Sequence, residues 1–287
     1  MGKIHEALEK SGRAKDMKVA ATLSQPHPAR QANSEIEIKV VPKTKSAEKQ
    51  PEAIVPEHKL DPHLVAYHSP AGVEAEIFKI LRTNILFPKT GAPPRSIMVT
   101  SAIPGDGKSF VAANLAISIA QGIEDHVLLM DCDMRRSSIH KSFGFTDNTP
   151  GLSDYLDRKQ PLESLLKKTV VDKLTILPGG PQPTNPSELL SSQAMKALLK
   201  EARSRYNDRY IIVDTPPPQL TAETTALANY IDGIILVIRY ASTPKDMIKE
   251  LIEKLGKEKI IGVVMNDYRI PTTERYGYGK YKKYKKY

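Results

Sequence analysis

Along this chain, runs of consecutive Val, Ile and Leu alternate with segments whose apolar residues recur every three or four positions. The short apolar runs predict strands at Ser96–Ser101, His126–Asp131, Leu174–Leu177, Tyr210–Asp214, Gly233–Ile238 and Ile260–Met265. Most are apolar at nearly every position, as strands are when a parallel sheet is covered on both faces. Helical spacing runs through Val73–Phe87, where Ile77, Ile80, Leu81 and Asn84 fall at that period. It returns in Gly107–Gln121, Gln193–Tyr206, Ala222–Tyr230 and Pro244–Leu255. Strand–helix alternation of this kind predicts one α/β domain over residues 72–270, doubly wound around a mostly parallel sheet.

The flanks read differently. Residues 1–16 carry Ile4, Ala7 and Leu8 on one face among charged neighbours, the pattern of an amphipathic helix too short to be stable alone. Residues 17–71 hold seven prolines among Lys, Glu, Gln and Ser, a composition that buries too little apolar area to offset its ordering entropy. This stretch is expected to be a flexible linker, and its His58, His63 and His68 to be solvated rather than metal ligands. Residues 271–287 form a tail rich in tyrosine and lysine.

Composition narrows the class without setting the function. Of 287 residues, 40% are hydrophobic and 26% charged, as in an ordinary globular protein, and no apolar run approaches a membrane span. Met1 to Arg13 lacks the apolar core of a signal peptide, and the single cysteine, Cys132, has no internal partner. Both predict a cytoplasmic chain. The net charge of +9 suggests an anionic partner, but six basic residues and no acid lie between Arg275 and Tyr287. The excess therefore belongs to the tail and not to a binding face.

Three motifs carry chemistry. Ala102-Ile-Pro-Gly-Asp-Gly107-Lys108-Ser109 has P-loop spacing with Ala in place of the first Gly, and it joins a predicted strand to a predicted helix. Backbone N–H groups of such a turn, here Pro104 to Phe110 apart from the proline, cradle phosphates with help from the helix N-terminus. Lys108 reaches the β/γ oxygens and the Ser109 hydroxyl serves Mg²⁺. The second motif is Asp131-Cys-Asp133-Met-Arg135, leaving the carboxyl end of a strand with two acids on one face. The third is Asp214-Thr-Pro-Pro after Tyr210-Ile-Ile-Val, the strand-end carboxylate that orients metal in P-loop enzymes.

Together these residues resemble the bacterial tyrosine autokinases of polysaccharide export systems, relatives of the MinD/ParA P-loop ATPases. The resemblance spans roughly residues 72–287 and includes Gly151-Leu-Ser-Asp-Tyr-Leu156, Asn185-Pro-Ser-Glu-Leu-Leu190 and the tyrosine-rich end. It implies tyrosine phosphorylation from ATP and Mg²⁺, mainly on the chain's own tail. It implies Lys108 on the phosphates, Ser109, Asp133 and Asp214 at the metal, and Asp131 as the base, with the roles of Asp131 and Asp133 open to exchange. Arg135 and Asn266 would complete the nucleotide site, Asn266 at the base. A membrane polysaccharide co-polymerase on a separate chain would activate the kinase and hold it at the membrane, a cognate tyrosine phosphatase would reverse it, and the kinase would be a homo-oligomer. The family's Glu-x-x-Arg-x-x-Arg assembly motif reads Glu76, Lys79, Arg82 here, and Lys lacks the planar fork of Arg.

Tyr276, Tyr278, Tyr281, Tyr284 and Tyr287 crowd into the last twelve residues. Taken alone they fit phosphate acceptors or stacking platforms beside phosphate-binding lysines. Beside a kinase-like site the acceptor reading is preferred, and no nucleic-acid partner is expected. The alternative is a ParA/MinD-type positioning ATPase. Those relatives carry a second lysine early in the P-loop, where this chain has Ile103. A non-enzymatic nucleotide-binding regulator is disfavoured by intact Lys108, Ser109, Asp131, Asp133 and Asp214.

Overall fold

The computed structural model describes residues 59–205, 209–218 and 222–268. The expected helix at 1–16, residues 17–58 of the expected linker and the tail at 271–287 lie outside them. In chain order the elements are α1 (Val65–His68), α2 (Val73–Leu86), β1 (Ser96–Ser101), α3 (Lys108–Ala120), β2 (His126–Asp131), α4 (Ile139–Ser142), α5 (Leu152–Leu156) and α6 (Leu162–Leu165). There follow β3 (Lys167–Lys168), β4 (Leu174–Leu177), α7 (Pro186–Leu190), α8 (Gln193–Arg205), β5 (Arg209–Asp214), α9 (Ala222–Ala228), β6 (Gly233–Arg239), α10 (Lys245–Leu255) and β7 (Ile260–Asn266).

Among the described residues, seven strands form one sheet in the order β3-β4-β2-β5-β1-β6-β7, parallel except for the two-residue edge strand β3. Alternate side chains of each strand feed opposite cores, because successive Cβ atoms point to opposite faces. Ile97, Val99, Leu129, Ile212 and Val237 face one layer, while Met98, Met130, Val213 and Leu236 face the other. The first layer is closed by α1, α2 and α3, and the second by α8, α9 and α10. Every residue of α3 from Val111 to Ala120 is buried, so the helix that follows the P-loop sits deep in the molecule. The topology places β5 between β1 and β2, which brings the ends of three strands with their motifs side by side.

Two expectations change here. The described part of the stretch expected to be linker packs into the fold: Leu60, Leu64 and Ala66 join the first core layer. Helix α2 buries Ala75, Phe78 and Ile85 instead of the predicted stripe, leaving Ile77 and Ile80 half-exposed. Its two faces are both apolar at helical spacing, so periodicity alone does not choose between them. Within the assembly motif, Lys79 pairs with Glu76 at 3.1 Å on the helix surface and Arg82 donates to the Ser118 carbonyl of the same chain at 2.8 Å.

Candidate active site

The loop between β1 and α3 is shaped by two glycines. Gly105 and Gly107 have φ of +88° and +94°, a region that favours residues without a Cβ. A Cβ at Gly107 would also collide with the Asn266 amide. The loop is tied to the far strands by buried polar contacts. The Asp106 carboxylate accepts from the Thr243 hydroxyl at 2.8 Å, and the Asn266 amide donates to the Asp106 carbonyl at 2.9 Å. Burial pushes the Asp106 carboxyl up, against the pull of the Thr243 hydrogen bond. Asp106 thus braces the loop against Thr243 and Asn266.

Lys108, first residue of α3, places its ammonium 2.9 Å from Asp133 Oδ2. Burial works against the charged lysine, but Asp214, Asp133 and Asp131 outweigh it and hold its pKa above the ordinary value. Asp214 ends β5 completely buried, and neither of its carboxylate oxygens accepts a hydrogen bond of good geometry. Burial raises its pKa to about 7, opposed chiefly by Lys108.

Asp131 is equally buried but its lone pairs are occupied. Its Oδ2 accepts from the Ser137 hydroxyl at 2.8 Å and from the Ser138 and Ile139 N–H groups at 3.0 and 3.1 Å. Its Oδ1 accepts from the Asp133 N–H at 3.1 Å. Four donors make this carboxylate the organiser of the loop from 132 to 139, whereas Asp133 lines the cleft beside the P-loop. Burial also pushes the neighbouring Cys132 thiol up, where it is inert.

Arg135 donates to the Ser187 hydroxyl at 2.7 Å and lies 3.4 Å from the buried Glu223 carboxylate. Ser187 falls inside the Asn185–Leu190 motif, but its contact with Arg135, 52 residues away, was not apparent from sequence, and neither was Glu223, 88 residues beyond Arg135 and in no motif. A cleft of about 260 Å³ between Lys108, Asp133, Arg135, Arg136 and Pro216 opens beside the P-loop. A second cleft of about 590 Å³ passes Gly105, Ser109, Phe110 and Asn266. A cavity of about 600 Å³ between α2 and β7 touches none of these residues, and the chemistry argues against it as the active site.

The structure therefore brings together Pro104, Gly105, Asp106, Gly107, Lys108, Ser109, Phe110, Asp131, Asp133, Arg135, Asp214 and Asn266 at the carboxyl edge of the sheet. Phe110 lines the second cleft and also packs edge-on against Phe78, with ring centroids 5.7 Å apart. The five tail tyrosines lie outside the described residues.

The donor set fits Mg²⁺ with a nucleotide. Asp214 offers two buried oxygens without a hydrogen bond of good geometry, the Ser109 side chain lies close enough to pull the Asp214 pKa down, and Ser109 also lines the adjoining cleft. Among the described residues no three His, Cys, Asp or Glu side chains converge as a closed metal cage. An ion here would draw its other ligands from phosphate and water, as Mg²⁺ does.

A phosphate-cradling loop opening a buried helix, with carboxylates on the adjacent strand ends, defines a P-loop nucleotide-binding protein. The sequence profile of the ParA family, described as NUBPL iron-transfer P-loop NTPase, matches residues 94–274. Tyrosine-protein kinase YwqD of Bacillus subtilis (strain 168) is 38% identical over 218 residues, covering 75% of this chain and 90% of that protein. The chimerical protein CapA2B2 superposes with a TM-score of 0.66 at 33% identity, over 76% of this chain and 93% of the other. The kinase domain of the Escherichia coli tyrosine kinase ETK superposes with a TM-score of 0.66 at 30% identity, over 74% and 84%. The chain belongs to the bacterial tyrosine-protein kinases, a branch of the ParA-type P-loop NTPases.

Proposed function

We infer that this kinase transfers the γ-phosphoryl group of Mg-ATP to tyrosines of its own C-terminal cluster, Tyr276, Tyr278, Tyr281, Tyr284 and Tyr287, and thereby governs exopolysaccharide or capsule assembly. The observation that carries the reading is the arrangement of Lys108, Asp133 and Asp214: one ammonium shared by two carboxylates, beside a loop built for phosphate. Phosphate oxygens compete with Asp133 for Lys108, so nucleotide binding frees the Asp133 carboxylate. We assign Asp133 as the acceptor of the tyrosine proton, the reverse of the role implied by resemblance, because the oxygens of Asp131 are already bonded. As the phenol oxygen forms its bond to phosphorus, the bond to the ADP oxygen breaks and the phenol proton passes to Asp133. Asp214 and Ser109 would hold Mg²⁺, which when bound supplies charge neutralisation at the phosphates. Arg135, fixed by Ser187 and Glu223, directs its guanidinium toward the same cleft.

In keeping with its relatives, the kinase would act with a membrane polysaccharide co-polymerase on a separate chain, as a homo-oligomer, and a cognate phosphatase would reset it. No helix among the described residues is long and apolar enough to cross a membrane, and the reading assigns membrane association to that partner. Phosphopeptide mapping of the purified protein with Mg-ATP, with and without an activator fragment, tests the reading. Phosphotyrosine confined to residues 276–287 supports it, and ATP hydrolysis without phosphotyrosine would favour the positioning-ATPase alternative.

A further inference from the structure

The segment before α2 reaches the nucleotide cleft. Residues 60–68 are clamped to the P-loop helix by two of its side chains. Buried Asn114 accepts from the Ala66 N–H at 2.9 Å and donates to the His63 and Phe110 carbonyls, both at 3.0 Å. Gln121 donates to the Ala66 carbonyl at 2.9 Å. At the head of the segment, Asp61 is fixed at almost every polar atom. Its N–H donates to the Ser142 carbonyl at 2.9 Å, and its carbonyl oxygen lies 3.0 Å from the Leu64 N–H and 3.1 Å from His68 Nε2. Its Oδ1 lies 2.8 Å from both the backbone nitrogen and Nδ1 of His63. Oδ2 is the oxygen left for a ligand among the described residues.

Asp61 and His63 line the same 590 Å³ cleft as Gly105, Ser109 and Asn266. With its phosphates on the P-loop and its base at Asn266, as the kinase reading has it, a nucleotide would lead its sugar through that cleft. The Asp61 carboxylate is oriented through Oδ1 by His63, and a carboxylate is the group that reads ribose hydroxyls in other nucleotide folds. We propose that Asp61 binds a ribose hydroxyl of the nucleotide, with His63 and Asn114 as its positioning residues. The inference rests on the ATP-dependent kinase reading.

The test uses the full chain with Mg²⁺ and compares the affinity of ATP, 2′-deoxy-ATP and 3′-deoxy-ATP for the wild type, Asp61→Ala and Asp61→Asn. Both variants change a partly exposed side chain, and thermal unfolding checks that they remain folded. A hydrogen bond from a hydroxyl to a carboxylate predicts that the wild type prefers ATP over one deoxy analogue by about tenfold. Asp61→Ala should lower ATP affinity to that of the analogue and leave the analogue unchanged, and Asp61→Asn should restore part of the preference. Equal weakening of all three nucleotides, or no discrimination by the wild type, overturns the assignment. A folded wild type that binds none of the three overturns the kinase reading itself, and this inference with it.

Discussion

Asp131 and Asp214 stand opposite one another in register on the adjacent parallel strands β2 and β5, both fully buried. Four hydrogen-bond donors satisfy the first, whereas the second has none of good geometry. The second therefore stores an electrostatic cost that a bound metal would relieve. With its pKa raised to about 7, folded Asp214 keeps a proton that the unfolded chain has already lost. Its contribution to stability is present at about pH 4, the ordinary carboxylate range, and is lost as pH rises toward 7.

Asp214→Asn should consequently stabilise the nucleotide-free protein by about 1–3 kcal/mol at pH 8 and flatten the decline of stability with pH. The same change should abolish phosphotransfer. Thermal unfolding from pH 5 to pH 8 without metal or nucleotide checks it. A variant less stable than wild type at pH 8 would show that Asp214 is a structural carboxylate.

The two acids of the Asp131-Cys-Asp133 motif should separate by readout. Asp131→Asn sets an amide against donors that need an acceptor, and should cost about 2–3 kcal/mol of stability. Asp133 accepts from the Arg136 N–H and pairs with Lys108, but it lines the open cleft. Asp133→Asn should leave the melting temperature nearer the wild type and reduce the turnover rate about 100-fold or more. Chemical denaturation beside single-turnover kinetics distinguishes the two. If Asp131→Asn folds as stably as wild type and loses only turnover, the base assignment returns to Asp131.

Most of this site was legible in the sequence because its parts are local. A buried parallel strand must be apolar throughout, so its end is marked by the first polar residue, and Asp131 and Asp214 fall there. What escaped depends on partners distant in sequence. Leu60, Leu64 and Ala66 are few apolar residues in a proline-rich stretch, and they are held by Asn114 and Gln121 about fifty positions away. The short helices α4 to α7 have too few turns for a period to register. Arg135 was visible, but Ser187 and Glu223, which fix it, bear no sequence relation to it.

Replacing Lys108 tests the coupling of charge and catalysis. Lys108→Met leaves Asp133 and Asp214 without their shared cation, so phosphotransfer should fall about 1,000-fold or more. The nucleotide-free protein should also lose stability, as buried pairs do when one partner is removed. Adding Asp214→Asn to Lys108→Met should recover stability without activity. A double-mutant cycle on melting temperature measures that coupling, and additive effects would refute it.

Asn266 should select the base. Its Nδ2 is committed to the Asp106 carbonyl at 2.9 Å, which leaves Oδ1 as the acceptor that Asn266 has for a base in the cleft it lines. The exocyclic amine of adenine donates to such an oxygen, whereas guanine presents a carbonyl at the same ring position and meets repulsion. Wild-type kinase should prefer ATP to GTP by about tenfold or more. Asn266→Asp keeps the acceptor but loses the donor, setting a carboxylate against the Asp106 carbonyl. It should loosen the P-loop and weaken both nucleotides. Asn266→Ala loses that donor as well, so it should weaken both nucleotides, ATP more than GTP, and collapse the preference. Competition binding of ATP and GTP to the three proteins checks this. An unchanged ATP preference in Asn266→Ala would assign Asn266 to bracing the P-loop alone.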